Sequence, residues 1–193
     1  GQTHTGKVIF GSSSLALGGC SVADLSNPGT IYSNPAALAL IAGDAMVNLS
    51  YDNKFGLCSF KEEQSAILFR KWGSTRAGLA KINNKAGLSE VTGTNSWQNQ
   101  WFIIGLGVEV SPEIAIGASY QRFSIDLDVE GSRLSEKNNL INLGFVYKAN
   151  KFTAGFAAHN MEVLASDKQF SPDYHVGLTY RHGLMEYMIE LSK

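Results

Sequence analysis

Phe102-Ile103-Ile104-Gly105-Leu106-Gly107-Val108-Glu109-Val110 is the stretch on which the fold turns. Read with a period of two, Phe102, Ile104, Leu106, Val108 and Val110 form one bulky apolar face, and Gly105, Gly107 and Glu109 share the other. Alternation of this kind marks a strand, because successive side chains point to opposite sides of the sheet. The deciding feature is the asymmetry of size. A soluble closed barrel is polar outside and filled by bulky apolar side chains inside. Here the bulky face is opposed by glycine, which fits a barrel whose outer wall is bathed in lipid.

The same pattern recurs on both sides of this stretch. Toward the N-terminus, Val47, Leu49 and Tyr51 alternate with Asn48 and Ser50; Ile67 and Phe69 lie in a strand-like run ending near Trp72, and residues 76–82 form another. Toward the C-terminus come Ile114 to Tyr120, Ile141 to Tyr147, Phe152 to Ala158, Tyr174 to Tyr180 and Met185 to Leu191, each apolar at alternate positions. The faces opposite are small or polar: Gly117, Asn142, Gly144, Gly155, Gly177. Phe123, Ile125, Leu127 and Val129 follow Tyr120 out of phase, which predicts a bulge that restores the outward apolar face. Nine strands are expected, starting near residues 45, 65, 75, 100, 113, 139, 151, 173 and 184. Short connections fall near 73–74, 111–112, 149–150 and 182–183, and longer polar ones near 83–98, 130–138 and 161–173. Short turns at one end and long loops at the other complete the pattern of an antiparallel transmembrane β-barrel of about 8–10 strands. Single-chain barrels have even strand numbers, so the stretch 6–10 adds a strand, one assignment is wrong, or a partner covers an open edge.

Composition agrees. The 193 residues carry 16 basic and 17 acidic side chains, a formal net charge of −1, which disfavours a nucleic-acid binder. Charged residues are 17%, below the roughly 25% of soluble domains. No run of about 18 apolar residues offers a transmembrane helix, but spanning strands need only about 9–11 residues of unremarkable mean hydropathy. Cys20 and Cys58 are too few for a disulfide framework or a cysteine-rich metal site; a bridge between them and a lipidated Cys20 stay open beside two plain semi-buried thiols. The chain reads as a mature protein whose signal segment is already removed.

Chemistry-bearing motifs are sparse. There is no Gly-x-Ser-x-Gly, no Walker loop, no His-Glu-x-x-His, and no metal-ligand spacing among the four histidines. No catalytic residue, cofactor or metal is expected, and the chain is read as a non-enzyme. Glu109, His159, His175, Arg181, Glu186 and Glu190 are candidates for a polar network lining a narrow lumen. Trp72, Trp97, Trp101 and the tyrosines near strand ends are candidates for an aromatic girdle at lipid headgroups.

Residues 1–43 stand apart from the alternating region 44–193. Asn34 is a good N-cap, Pro35 suits the first helical position, Ala36 to Ile41 favours helix, and Gly43 can end it. The sequences Leu17-Gly18-Gly19-Cys20-Ser21-Val22-Ala23-Asp24, Ile31-Tyr32-Ser33-Asn34-Pro35-Ala36-Ala37-Leu38-Ala39 and Val47-Asn48-Leu49-Ser50-Tyr51 resemble the N-terminal region of the FadL-like outer-membrane barrels, closest to the PorV/PorQ branch. Ala158-His159-Asn160-Met161 and Tyr174 to Tyr180 resemble a later strand pair of that branch. The resemblance implies a hatch inside the barrel, with Gly18, Gly19, Asn34, Pro35 and Ala36 at the matching positions. It further implies a Gram-negative outer-membrane location, lipid and other outer-membrane proteins as partners, and a role either as accessory or scaffold subunit of a secretion or insertion complex (type IX secretion in that branch) or as a small binder or conduit for a hydrophobic ligand. The chain is much shorter than the family's barrels, and at about eight strands side chains alone fill a lumen.

Overall fold

The computed structural model describes residues 22–25, 28–53, 60–87, 96–129, 132–162, 172–182 and 185–192. Nine strands form a single antiparallel sheet in chain order: β1 (Met46–Asn53), β2 (Phe60–Leu68), β3 (Thr75–Gly87), β4 (Ser96–Glu109), β5 (Ile114–Val129), β6 (Ser132–Ala149), β7 (Phe152–Glu162), β8 (Asp173–His182) and β9 (Met185–Ser192). Each strand pairs with the next, and among the described residues the ladder ends at β1 and β9. Outward side chains on these two strands are more exposed than those between neighbours: Leu49 is 77% and Leu191 71% accessible, against 47% for Leu106 and 45% for Leu178. No described helix is long and apolar enough to cross a membrane.

Six strands begin where the alternation predicts, while β2, β4 and β6 begin at residues 60, 96 and 132 rather than near 65, 100 and 139. All three descend from the end carrying the long connections. The polar stretch 130–138, expected as a loop, is mostly strand, and only residues 130–131 lie between β5 and β6. The strands therefore outrun their apolar segments, because the hydrogen-bonded ladder holds this upper part regardless of what its outer face touches. At this end β5 and β6 reach 16 and 18 residues, against 8 in β1 and β9.

The bulge expected between Tyr120 and Phe123 is absent. β5 pairs without a register shift from Glu109↔Ala115 to Ser96↔Asp128, and equally regularly with β6. Three steps along a strand reverse the face, so Tyr120 points out and Phe123, 3% exposed, points in. Beyond Tyr120 the outer face becomes Arg122, Ser124 and Asp126, and the apolar residues move inside. The register shift of the sheet lies instead in the β6–β7 pair, between Ile141 and Leu143, opposite Asn160 with its φ of 59°.

The concave face holds the segment Val22–Ile41. It contains one helical turn, α1 (Thr30–Ser33), and a 3-10 helix, Pro35–Ala39, both wholly buried. Asn34 caps the latter, its side-chain oxygen accepting from the Ala36 amide at 3.2 Å, and Pro35 occupies the first position. The helix expected to run to Gly43 is shorter: it closes at Leu40, whose amide donates to Ala37 O. The tighter i→i+3 winding suits five residues confined between walls. Gly43, at φ 95°, instead turns the chain toward β1.

Two clusters seat the segment. Ile31, Tyr32, Leu38 and Ile41 pack with Ala66, Leu68, Ala80, Ile82, Trp101, Ile103 and Phe123 from β2–β5. Ala36, Ala37 and Ala39 pack with Ala115 of β5 and Val146 of β6. Val22 and Ala23 lie against Gly155 of β7 and Gly177 of β8. The described residues of this segment thus touch strands from β2 to β8, and the sheet curves around them.

Candidate functional site

The glycine face reads out as a seat. A Cβ on Gly105 would stand 2.6 Å from Ile31 Cγ1, and one on Gly107 2.8 Å from both Ala39 N and Pro35 O. On Gly117 it would meet the Pro35–Ala36 peptide, with Pro35 O at 2.6 Å, and on Gly144 it would press on Asn34 and Ala36. At Gly107, Gly117 and Gly144 glycine is needed because the plug backbone lies directly on the strands, whereas at Gly105 the neighbours are the Ile31 and Leu38 side chains.

Asn34 links three parts of the structure. Its Nδ2 donates to Val22 O at 2.7 Å and to Phe145 O of β6 at 3.1 Å, while Oδ1 serves the cap, and the residue is fully buried. Gly18 and Gly19, expected beside it, and both Cys20 and Cys58 lie outside the described residues.

The proposed lumen residues divide into separate places. His159 and His175 come together on β7 and β8, ring centroids 4.7 Å apart. His159 Nε2 donates to the plug carbonyl Ser33 O at 2.7 Å, and its ring lies 5.6 Å from that of Tyr32. His175 Nδ1 donates to Glu190 Oε1 at 3.2 Å, and Glu190 Oε2 accepts from Val22 N at 3.3 Å. The start of the plug segment, at Val22, and its middle, at Ser33, are thus tied to one cluster. Glu109 is remote from it, paired with Lys71 at the short-turn end. Arg181 is exposed at that end as well, and Glu186 is its register partner on β9.

Sequence reading missed a polar run beside the histidines. Gln121 Nε2 donates to Asn160 Oδ1 at 3.0 Å, Asn160 N to Asn142 Oδ1 at 3.0 Å, and Asn160 Nδ2 to Asp173 Oδ2 at 2.9 Å. Only Asn142 was visible in advance, as a polar residue on the small face. Arg76, 2% exposed, was also missed; it reaches across to Gly43 O from β3. No group of three or more His, Cys, Asp or Glu placed to hold a metal occurs among the described residues.

Above the plug the inner wall carries an apolar and aromatic strip among polar residues, for Glu62, Asn84, Asn99, Glu136 and Asn138 share this face by register. Trp101 and Phe123 pack at 4.8 Å between centroids, Ile125 lies against them, and Trp97 and Leu127 continue the same face. Trp97 and Trp101 were expected in an outer girdle. Alternation from Phe102 puts them inside, and Trp101 is only 5% exposed.

The convex face carries a continuous apolar belt including Phe102, Ile104, Leu106, Ile116, Leu143, Phe145, Val176 and Leu178, each about 40–54% exposed. At the short-turn end aromatic rings border it: Phe152 and Tyr180 lie 4.7 Å apart, Tyr187 6.4 Å from Tyr180, and Tyr147 and Trp72 are exposed at the same end. Tyr120 and Tyr174 stand at its upper limit.

No family model matches the chain, and no curated protein is similar to it at a significant level. Among solved structures the chain is similar to the crystal structure of a Pseudomonas aeruginosa FadL homologue, with a TM-score of 0.59 and 9% sequence identity. The match covers 90% of this chain and 65% of that one, so the chain spans about two thirds of that protein's length. The fold is therefore FadL-like.

Proposed function

We propose that the chain is an integral outer-membrane β-barrel that takes up a hydrophobic ligand at its mouth, above a seated plug. The observation that carries this reading is the strip of Trp97, Trp101, Phe123, Ile125 and Leu127 on the inner wall over the plug, with Asn99, Glu136 and Asn138 as polar groups on the same face, while the outer wall at the same height is polar. Ligand sites are concave and mostly apolar with a few polar groups, and this is where the chain offers one. The FadL-like fold supports the same class of ligand. Membrane insertion is supported by the apolar belt and its aromatic borders, since lipid is the solvent that would cover them. Inside lipid the edges of β1 and β9 need partners, because unpaired backbone groups there cost several kcal/mol each; the reading therefore includes a closed barrel in the Gram-negative outer membrane, with membrane lipid as its surroundings and no nucleic-acid partner or catalytic role.

The test uses a Trp72→Phe background, so that fluorescence reports Trp97 and Trp101. A brominated long-chain fatty acid should quench saturably at micromolar concentration, and Phe123→Asp should abolish the effect. Quenching that stays linear with ligand, or survives Phe123→Asp, refutes the mouth site.

A second reading, an accessory or scaffold subunit of a secretion or insertion complex, is favoured by the tall β5–β6 hairpin, whose outer face offers a partner a polar wall of Arg122, Ser124, Asp126, Arg133 and Ser135. The PorV-like features at residues 17–24 and 31–39 supply the link to type IX secretion. Affinity purification from solubilised membranes tests it: stoichiometric recovery of another outer-membrane protein supports it, and recovery of the chain alone counts against it.

A further inference from the structure

A row of the outer wall carries two cations that have no ion pair among the described residues. Lys81 of β3 is the register partner of Phe102 of β4, and Phe102 is the partner of Arg122 of β5. All three point outward, Lys81 and Arg122 being exposed and Phe102 45% accessible between them. One outward step below, Leu79, Ile104 and Tyr120 begin the apolar belt. One step above, the row is Asn83, Gln100 and Ser124. Lys81 and Arg122 therefore sit at the height where the wall changes from apolar to polar.

Neither cation has a hydrogen bond or ion pair among the described residues. Of the outward acids nearby, Asp126 is paired with Arg133 at 3.3 Å, and Glu63, diagonal to Lys81, accepts from Asn83 Nδ2 at 2.9 Å and keeps its charge. Tyr120 donates to Asn139 at 2.7 Å, which closes the adjoining position on β6. Two strand spacings separate the Lys81 and Arg122 backbones by about 10 Å. Both side chains are long enough to converge above the Phe102 ring. An ammonium and a guanidinium fork converging on one point match the oxygens of a phosphate monoester, and the guanidinium binds two of them at once. Acyl chains of the same molecule would lie on Ile104 and Leu106, directly beneath.

We propose that Lys81, Phe102 and Arg122 form a binding site on the outer wall for the phosphorylated headgroup of a membrane lipid, in the leaflet facing the long-loop end. The inference rests on the membrane reading above. It adds a lipid-specific contact distinct from the mouth, on the opposite face of the same strands.

Native mass spectrometry of the full chain in detergent, with diphosphorylated lipid A as probe, tests it. Wild type should retain the lipid, and a dephosphorylated analogue should bind at least tenfold more weakly. Lys81→Gln with Arg122→Gln should weaken binding of the phosphorylated probe about tenfold or more. Lys148→Gln with Lys151→Gln, which removes the same charge at the short-turn end, should leave it unchanged. Equal losses in the two double variants, unaltered binding in the first, or equal binding of the dephosphorylated analogue overturns the site. A chain that stays soluble without detergent overturns the membrane reading instead, so the two failures are separable.

Discussion

Replacing Gly107 with alanine should loosen the plug while leaving the sheet intact. The added Cβ would stand 2.8 Å from Ala39 N and Pro35 O and 3.1 Å from Leu38 Cβ. Two of these are backbone atoms of the 3-10 helix, which has no rotamer to change. Reaching an ordinary 3.4 Å contact requires the plug to move by about 0.6 Å, and a gap of that size forfeits roughly a quarter to a half of the dispersion well for the atoms involved. Overpacking costs about 1–3 kcal/mol, and relief of glycine's conformational cost in a strand returns about 0.5–1 kcal/mol. The net is about 0–2.5 kcal/mol with a midpoint of about 1, or a rise of several-fold and at most roughly 70-fold in the undocked population. Limited proteolysis of the natively folded protein reads that population directly when opening is faster than cleavage. Cleavage within residues 22–43 should accelerate by that factor, and Gly117→Ala, whose Cβ meets the Pro35–Ala36 peptide, should accelerate it more. Gly177→Ala is the internal contrast, since its nearest neighbour is Ala23 N at 3.3 Å and it should be neutral or slightly protective. Equal cleavage of the Gly107 and Gly177 variants would refute the seat.

Asn34→Ala removes the cap together with the buried contact to Val22 O and the part-buried one to Phe145 O; at about 1–3 kcal/mol for a buried group left unsatisfied, plug cleavage should accelerate, and wild-type rates would deny Asn34 its anchoring role. The Asp126 carboxyl, three outward positions beyond Tyr120, is held below its ordinary value first by the Ser135 hydroxyl and further by Arg133 and Lys137, against some desolvation. Its contribution to the β5–β6 hairpin is therefore present above the unfolded pKa and is lost as pH falls through the lowered folded value. A carbon-13 titration should place Asp126 below a free aspartate, with Ser135→Ala and Arg133→Gln each raising it; a value unmoved in both variants contradicts the hairpin geometry. In planar bilayers the purified chain should show no large, stable conductance, because plug and glycine face meet without a gap, and a steady open state at modest voltage would show that the concave face empties.

Alternation of apolar residues made most strands legible in the sequence, along with the short turns and the small inner face of Gly105, Gly107, Gly117, Gly144, Gly155 and Gly177. Asn34-Pro35 was legible as a cap for the same reason: these are local patterns, and the backbone geometry behind them needs no distant partner. Local reading failed where a residue's surroundings are supplied by remote parts of the chain. The phase change at Tyr120–Phe123 looked like a bulge because an outward apolar face was assumed throughout; register with β4 and β6 shows that the surroundings change instead. Trp97 and Trp101 went inside on the same parity. His159 and Ser33 are 126 residues apart, and their contact exists only because the sheet curves around the plug. Successive members of the row Lys81, Phe102 and Arg122 lie 21 and 20 residues apart in sequence and form a row solely through register. Period-two patterning is a property of each strand alone and can be read from it. Register, curvature and the seating of the plug are set by many turns and contacts at once, and so belong to the tertiary structure.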